Sequence, residues 1–341
     1  MDIQTVCEKA SSLRGCLSSL KTTESRRRDD HDDDPLPIDH FISDKAKILC
    51  SKAFRRMNHK TQVFTFPKKL ARTRQAHVME VAAVSMVASD LLGLNTNLVE
   101  AAAFGHDIGH VPFGHQGEAW MAKVMNRPEF CHEIMGPIVA QKIERKGKGL
   151  NLTWHTLEAM MCHSGYTAKQ GMSQEAWLLR YTDKFTYIFH DLNDIVVRAG
   201  YPVSQELLDL ANVFGTNQRE RTTTAISGLV IESAESGSVS FDKSELGQHF
   251  RRLRELMYHV YVRVTQQNVE RIMCPVLEFL KMIDIGDPFL VLALMTDKDV
   301  YEIAYACMPN IDDFNLTSVS EITPHLQNIG EIDLCNPDLN W

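Results

Sequence analysis

The sequence predicts a mainly α-helical protein, and three observations support this. Apolar residues recur at helical spacing in long segments from about residue 40 to the end. Short stretches of Gly, Pro and Asn separate these segments, and no internal repeat is visible. One short β-hairpin is expected near 229–242, where Ser and Gly separate two β-prone runs. We therefore expect an all-α fold with at most one small hairpin.

The composition limits the classes of protein to which the chain can belong. The chain has 341 residues, of which 44% are apolar, so it can bury a large core. A formal net charge of -8 argues against a protein that coats nucleic acid. The 8 cysteines include no CxxC pair and are typical of reduced thiols. No apolar run approaches the roughly 18 residues that span a membrane, so we expect a cytoplasmic protein.

The first 38 residues differ in character from the rest of the chain. The stretch "RRRDDHDDDPLP" (26–37) combines charge blocks with two prolines, which is typical of a solvated tail or mobile linker. We expect residues 1–38 to form a partly mobile tail. Residues 39–341 are expected to form one helical domain, with its core at about 44–200 and a C-terminal helical extension.

The first candidate metal ligand lies in the helix predicted over 72–92. His77 recurs with Val81, Val84 and Ala88 at helical spacing, so these residues share one face. His77 is therefore expected to face the core. Taken alone, an inward histidine is more often a packed core residue than a ligand.

The second candidate lies at the end of the next helix, in "NLVEAAAFGHDIGH" (97–110). Asn95 or Asn97 can cap this helix, and its apolar run stops just before His106 and Asp107. An adjacent imidazole and carboxylate can bind one cation together. This donor pair suits Mn, Fe, Mg, Co or Zn.

The third candidate is a stripe of polar residues on the helix predicted over 176–196. Asp183, Tyr187, Asp191 and Asp194 follow one another along one side, opposite an apolar face. A charged outer face is the alternative interpretation. We favour a site, because the two histidines and the aspartate above still need another anionic ligand.

A histidine, a later His-Asp pair and a distant aspartate occur in the order found in the HD phosphohydrolase superfamily. The neighbouring segments are "SKAFRRMNHKTQVF" (51–64), "RTRQAHVMEVA" (72–82), "AAAFGHDIGHVPFGHQGE" (101–118), "LTWHTLEAMMCHS" (152–164) and "DKFTYIFHDLND" (183–194). Together they resemble the deoxynucleoside triphosphate triphosphohydrolases, the dGTPase-like branch of that superfamily. The match covers about 44–195, and "LALMTDKDVYEI" (292–303) resembles a later family segment more weakly.

The resemblance implies a metal site and a reaction. His77, His106, Asp107 and Asp183 would bind a divalent ion (Mn, Mg, Fe, Co or Zn), and the further histidines permit a second ion. The implied reaction is hydrolysis of a dNTP at the α-phosphorus, which gives deoxynucleoside and tripolyphosphate. The first substrate to test is dGTP.

The resemblance also implies proton-handling residues. His115 is expected to transfer a proton, either to the leaving oxygen or from water, and Glu118 would orient it one turn later. His110 and His132 match further active-site histidines of the family. Gly114 is expected to give the "VPFGH" turn the backbone freedom that holds His115 across the pocket from the metal.

Substrate contacts follow from the same resemblance. Arg74 and Lys184 would bind phosphate oxygens. Gln62 and Asp191 would read the 3′-hydroxyl, and Tyr187 would pack on the deoxyribose and exclude a 2′-hydroxyl.

The resemblance further implies a homo-oligomer with a dNTP effector at its interfaces. Two alternatives remain open at this point. One is another HD phosphohydrolase, a nucleotidase or a phosphodiesterase. The other is a nucleotide-sensing or weak single-stranded nucleic-acid-binding module, which the complete ligand set and the acidic net charge disfavour.

Overall fold

The computed structural model describes residues 3–13, 39–62, 72–264, 268–283, 286–305 and 331–338, together with Leu17 and Leu326. Over these residues the regular structure is helical, apart from one isolated bridge between Thr61 and Thr73. The prediction of an all-α fold is therefore confirmed. The charged stretch 26–37 lies outside the described residues.

The helices that carry the predicted site come first along the chain. They are α1 (Ile3–Leu13), α2 (His40–Cys50), α3 (Lys52–Arg56), α4 (Arg74–Leu92), α5 (Thr96–Gly105), α6 (Gly114–Val124), α7 (His132–Ile138), α8 (Trp154–Cys162) and α9 (Gln174–Leu192). A short 3₁₀ turn, Met57–His59, follows α3, and π-helical turns extend α7 over Val139–Ile143 and α9 over Asn193–Arg198.

Side-chain caps fix where the three ligand-bearing segments begin. Thr73 accepts from the backbone N–H of Ala76 and starts α4. Asn95, rather than Asn97, caps α5 by accepting from Leu98. Ser173 caps α9 in the same way. Each cap satisfies a backbone donor that the first helical turn leaves unpaired, which explains why the sequence located these starts closely.

The packing of α5 brings the site together. This helix contacts α2, α4, α8 and α9. Its residues Ala101, Ala102 and Ala103 are fully buried, and their small side chains let the neighbouring helices approach closely. The His-Asp pair at the end of α5 is therefore surrounded by the helices that carry its predicted partners.

The C-terminal extension divides over two sides of this core. Its helices are α10 (Gln205–Phe214), α11 (Gln218–Ser236), α12 (Glu245–Val264), α13 (Val269–Met282), α14 (Pro288–Leu294) and α15 (Asp297–Tyr305). One hydrophobic cluster joins α13, α14 and α15 to α6, α7 and α8. A second joins α10, α11 and α12 to α9 and the end of α4. Both α4 and α9 contribute to the two clusters.

The hairpin expected near 229–242 is not formed, so that part of the prediction is wrong. α11 continues through this stretch to Ser236 and ends at Gly237. Leu229 and Val230, which looked β-prone, are buried on the face of the helix within the second cluster. Tertiary packing therefore overrides the local preference of these residues.

Two further features concern the N-terminal helix and the possibility of a membrane-spanning helix. α1 lies in the segment expected to be a tail, yet it packs against α4 and α11 and buries Val6. Among the described residues, no helix combines the length and apolar character needed to cross a bilayer.

Candidate metal and catalytic site

A pocket of about 570 Å³ opens between the HD-bearing segment and α12. Most of the predicted site residues line it, namely Gln62, Arg74, His77, Asp107, His110, His115, His132, Asp183, Tyr187 and Asp191. His106 and Glu118 lie behind this lining, and Lys184 is not part of it. Residues predicted from three separate stretches of sequence thus meet in one cavity.

The predicted metal ligands converge at one end of the pocket. His77 Nε2 lies 3.1 Å from Asp183 Oδ1 and 3.9 Å from Asp107 Oδ2. His106 Nε2 lies 3.5 Å from Asp107 Oδ1 and 3.8 Å from Asp183 Oδ1. Donors that each bind one ion at about 2.0–2.2 Å must lie within about 4.4 Å of one another. His77, His106 and Asp107 offer ligand atoms that all lie within 4.8 Å of one another. Asp183 Oδ1 lies within the limit of both imidazole nitrogens.

The nitrogen atoms are also in a suitable state for a cation. His106 Nδ1 donates to the carbonyl oxygen of Ala103 at 2.7 Å, which leaves a lone pair on Nε2. That buried Nε2 finds no hydrogen-bond partner among the described residues. Burial lowers the pKa of His77, so its imidazole is neutral near pH 7. Neutral imidazoles and ionised carboxylates are what a divalent metal requires.

Asp107 is the most heavily contacted carboxylate of the group. Burial alone would raise its pKa, but His106, His110 and Arg74 outweigh that effect and hold the pKa well below its usual range. Arg74 Nη1 donates to Oδ2 at 2.8 Å, and His110 Nε2 lies 3.2 Å from Oδ1. Asp107 therefore stays ionised.

Glu118, on α6, lies at the centre of a second group. It hydrogen-bonds His115 Nδ1 at 2.9 Å and His132 Nδ1 at 3.1 Å, and His110 Nδ1 lies 2.6 Å from it. The rings of His110 and His132 stack with centroids 3.5 Å apart. One carboxylate thus orients three imidazoles, where the sequence had suggested a single partner.

These histidines have different electrostatic surroundings. Burial, together with the charge of Arg74, lowers the pKa of His110 to about 3. Burial opposes the charging of His132 as well, yet Glu118 and Glu133 raise its pKa to about 9. The side chain of His115 is 73% exposed and lines the pocket, so it alone of the three is freely accessible to a substrate.

The turn before His115 depends on backbone conformation. Phe113 and Gly114 both have positive φ, at 63° and 56°. A Cβ on Gly114 would also lie 2.6 Å from Arg74 Nη2. The backbone conformation therefore favours glycine, and a side chain here would also displace the end of Arg74. α6 begins at this turn, so His115 lies on a different helix from His106, as predicted.

His163 is a site residue that the sequence reasoning missed. It follows α8 directly, and its Nδ1 donates to the carbonyl oxygen of Met160 at 2.6 Å. Its Nε2 lies 3.2 Å from His132 Nε2 and 4.0 Å from Asp107 Oδ1. Asp107, His132 and His163 form a second set of candidate ligand atoms that shares Asp107 with the first.

The available signal for His163 was its position. Like His106, it is the first residue after an apolar helix, and its Nδ1 bonds the carbonyl three residues earlier. The repeated arrangement leaves Nε2 of both histidines directed at the same carboxylate.

The opposite end of the pocket is polar and aromatic. Asp191 accepts from Arg72 Nη2 at 2.5 Å and from the Tyr261 hydroxyl at 2.8 Å. The hydroxyls of Tyr187 and Tyr258 lie 3.0 Å apart. Tyr258 and Tyr261 were not predicted, because α12 carries no recognisable motif. Arg72 was not predicted either, although it begins the segment 72–82 that carries the family resemblance.

The remaining predicted residues have distinct surroundings. The buried Gln62 Oε1 has no hydrogen-bond partner among the described residues, although it lines the pocket. Lys184 is buried, and its ammonium donates to the carbonyl oxygens of Arg180 and His163 at 2.7 and 3.3 Å. Burial lowers the pKa of Lys184 to about 7. Its predicted phosphate contact therefore stays a prediction.

Comparisons with known proteins agree with this geometry. The family model for the HD domain matches residues 74–188. A protein of Caldanaerobacter subterraneus subsp. tengcongensis, named deoxyguanosinetriphosphate triphosphohydrolase-like protein, is 35% identical over 248 residues, which are 72% of this chain and 71% of that relative. A protein of the same name from Clostridium tetani is 37% identical over 229 residues, 64% of this chain and 65% of the relative. This chain belongs to the dGTPase-like family of HD-domain proteins.

The family match establishes the helical HD-domain fold of residues 74–188. The matched range 74–188 includes His77, His106, Asp107 and Asp183, whose donor atoms converge in the pocket. Members with HD domains bind divalent metals, and the donor set here fits such an ion. The matches cover 65% and 71% of the two relatives, so the chain spans about two thirds of their length.

Proposed function

We propose that this HD-family phosphohydrolase cleaves deoxynucleoside triphosphates at the α-phosphorus and releases deoxynucleoside and tripolyphosphate. The observation that carries the proposal is one continuous pocket, with imidazoles and carboxylates at one end and tyrosines with Asp191 at the other. A phosphate chain suits the first end, and a sugar suits the second. The names of these two relatives support dGTP as the first substrate to test.

His77, His106, Asp107 and Asp183 would hold the divalent ion. Two imidazole nitrogens and two carboxylates are compatible with Mn, Mg, Fe, Co or Zn. When bound, such an ion polarises a phosphoryl oxygen and lowers the pKa of water. Arg74 holds Asp107 in place from the other side and presents its guanidinium to the pocket.

His115 would supply the proton for the leaving 5′-oxygen, because a nucleoside alkoxide is a poor leaving group. Its Nδ1 is bound to Glu118, so its other ring nitrogen is available for proton transfer. A positioned acid of this kind contributes about 10²–10⁴-fold to the rate. The exposure of His115 to the pocket supports this role.

The deoxyribose would lie against Tyr187 and Asp191. The Tyr187 hydroxyl is bound to Tyr258, which holds the Tyr187 ring in place. The ring would pack on the deoxyribose and disfavour an added 2′-hydroxyl. Gln62 Oε1, which has no hydrogen-bond partner among the described residues, could accept a hydrogen bond from the 3′-hydroxyl. Leaving a buried polar group of this kind unpaired costs a poorer substrate about 1–3 kcal/mol.

The test is incubation with each dNTP and each rNTP in the presence of Mn²⁺ or Mg²⁺, followed by separation of products by ion-exchange chromatography. We expect tripolyphosphate and free deoxynucleoside from dNTPs, and much slower turnover of rNTPs. Release of orthophosphate or pyrophosphate would instead indicate a nucleotidase or phosphodiesterase. Binding of nucleotide without turnover would indicate a sensing module.

A further inference from the structure

One carboxylate from the C-terminal helix α15 joins two segments of the proposed active site. Oδ2 of Asp297 accepts from the backbone N–H of Thr61 at 2.9 Å, and Oδ1 accepts from that of Phe113 at 2.9 Å. Thr61 precedes Gln62, and Phe113 lies two residues before His115. Asp297 therefore fixes the distance between the substrate-side segment and the catalytic turn.

The turn needs such support, because Phe113 adopts an unfavourable conformation. Its φ of 63° is in the left-handed region, which costs a non-glycine residue about 1–3 kcal/mol when the surroundings do not enforce it. α15 contacts this residue twice. Asp297 binds its N–H, and the ring of Tyr301 packs edge-on against its ring, with centroids 5.3 Å apart.

A buried lysine ties the same parts together from the other side. The ammonium of Lys60 donates to the carbonyl oxygen of His110 and, at 3.4 Å, to that of Ala293 in α14. Lys60 is itself one residue before Thr61. The turn from His110 to Phe113 is thus held at both ends by groups that connect it to the C-terminal helices.

We propose that Asp297, Lys60 and Tyr301 form a C-terminal clasp that positions His115 and Gln62 for catalysis. The kinetic part of this proposal rests on the proposed function. None of the three residues is among those that line the pocket, so they act through the turn and the substrate-side segment. All three lie outside residues 74–188, the range that the HD-domain family model matches, and Asp297 and Tyr301 follow it on α15. The HD core is therefore incomplete without α15.

The variant that tests the clasp is Asp297→Asn. Its amide keeps the shape but has one acceptor oxygen, and its NH₂ group would face one of the two backbone N–H donors. Asp299→Asn is the matched control, because Asp299 caps the same helix by accepting from the N–H and hydroxyl of Thr296 at 2.8 and 2.7 Å. A general weakening of α15 would appear in both variants.

We expect Asp297→Asn to lower kcat by about 10- to 100-fold, with KM changed by less than about threefold, because one charge-assisted buried bond is lost. Asp299→Asn should keep kcat within about threefold of the wild type. Equal losses of kcat in the two variants would overturn the proposal. Tyr301→Leu, which leaves the buried charges in place, should lower kcat by about 2- to 10-fold. An unchanged kcat in folded Tyr301→Leu would also overturn it.

A measurement independent of turnover separates this proposal from the proposed function. Hydrogen exchange resolved at the Thr61 and Phe113 amides should be faster in Asp297→Asn than in the wild type, and unchanged in Asp299→Asn. This result supports the clasp even if the wild-type chain hydrolyses no dNTP. Because the asparagine oxygen can still accept from one of the two amides, unchanged exchange at both Thr61 and Phe113 in Asp297→Asn would overturn the clasp, whatever the substrate proves to be.

Discussion

Two buried glutamates, Glu118 and Glu232, show how the same side chain serves different purposes in this protein. They are similarly hidden, at 6% and 4% exposure. Glu232 accepts from the hydroxyls of Ser240 and Ser244 at 2.6 Å, and from the backbone N–H groups of residues 242–244 at 2.8–3.0 Å. Glu118 instead faces three imidazoles.

The two glutamates differ in whether their hydrogen-bond donors can exchange protons near neutral pH. Hydroxyls and backbone amides keep their protons at any physiological pH, so Glu232 only anchors the chain after α11. Imidazoles can release or accept a proton, so Glu118 holds groups that can take part in chemistry. Beside Asp107, the proposed donor atom His106 Nε2 also lacks a hydrogen-bond partner among the described residues. A buried polar group that lacks a partner points to a ligand site, whereas full pairing points to a structural role.

The largest effect is expected from Asp107→Asn, which changes the carboxylate shared by two of the three groups of candidate ligands among the described residues. We expect turnover to fall by at least about 100-fold. Altering a residue that only supports a metal ligand lowers activity by up to about 100-fold, and Asp107 is itself a proposed ligand. Bound metal, measured by plasma mass spectrometry, should fall as well. Glu232→Gln is the matched change at the structural glutamate, and this variant should bind as much metal as the wild type. Full metal content and activity in Asp107→Asn would contradict the site.

The next effect concerns Glu118 itself. Glu118→Gln removes the charge that orients three histidines, so kcat should fall by about 10²–10⁴-fold, at least as far as in His115→Ala. The measurement is steady-state turnover of both variants, with circular dichroism to confirm folding. If Glu118→Gln were nearly as active as the wild type while His115→Ala was inactive, the imidazole group would not act through this carboxylate.

A backbone contact provides the third comparison, within the catalytic region. A Cβ on Gly109 would lie 2.2 Å from both the Gly136 nitrogen and the His132 oxygen, whereas one on Gly136 would meet nothing closer than 3.7 Å. Gly109→Ala should therefore cost about 3 kcal/mol of stability, as overpacked cores do. Gly136→Ala, at the same contact, should cost far less. Thermal unfolding of the pair measures this, and equal melting temperatures would contradict it.

The smallest effect on catalysis is expected from Glu232→Gln. Loss of its charge-assisted bonds should lower the free energy of unfolding by about 1–3 kcal/mol, while kcat per folded molecule stays unchanged. The bonds from Ser240, Ser244 and nearby backbone amides outweigh burial and lower the pKa of Glu232 from 4.5 to about 2. A lowered folded-state pKa contributes stability above about pH 4.5 that disappears as the pH falls towards 2.

Denaturant unfolding at several pH values tests the direction of this pH dependence. The gap in stability between the wild type and Glu232→Gln should be widest near pH 7 and narrow steadily below pH 4.5. A gap that widens in acid, or a loss of kcat at neutral pH, would show that the two glutamates do not divide their roles as described.

Sequence reasoning located the candidate metal ligands because they depend on local rules. His77 follows from helical periodicity, and His106 from the end of an apolar run capped at Asn95. His163 obeys the same local rule as His106, but only the packing of α8 against α5 brings it to Asp107. The role of Asp297 depends on a contact 184 residues away along the chain, which no local pattern encodes.

The hairpin was predicted incorrectly for the same reason, because contacts outside the local pattern decide the structure. The β-prone residues before Gly237 are compatible with a buried helical face as well as with a strand. What decides between them is Glu232, whose bonds to residues 240–244 turn the chain without strand pairing. A pattern of apolar residues does not reveal that one carboxylate will bind the loop that follows its helix.

The most direct test of the proposed chemistry is hydrolysis of dGTP with Mn²⁺ in water enriched in oxygen-18, followed by mass spectrometry of both products. Attack of water on the α-phosphorus adds the heavy oxygen to phosphorus, and the 5′-oxygen leaves with a proton on the nucleoside. The account therefore predicts labelled tripolyphosphate and unlabelled deoxyguanosine, and no turnover in Asp107→Asn. Label in the deoxyguanosine, or labelled orthophosphate in place of tripolyphosphate, would contradict it.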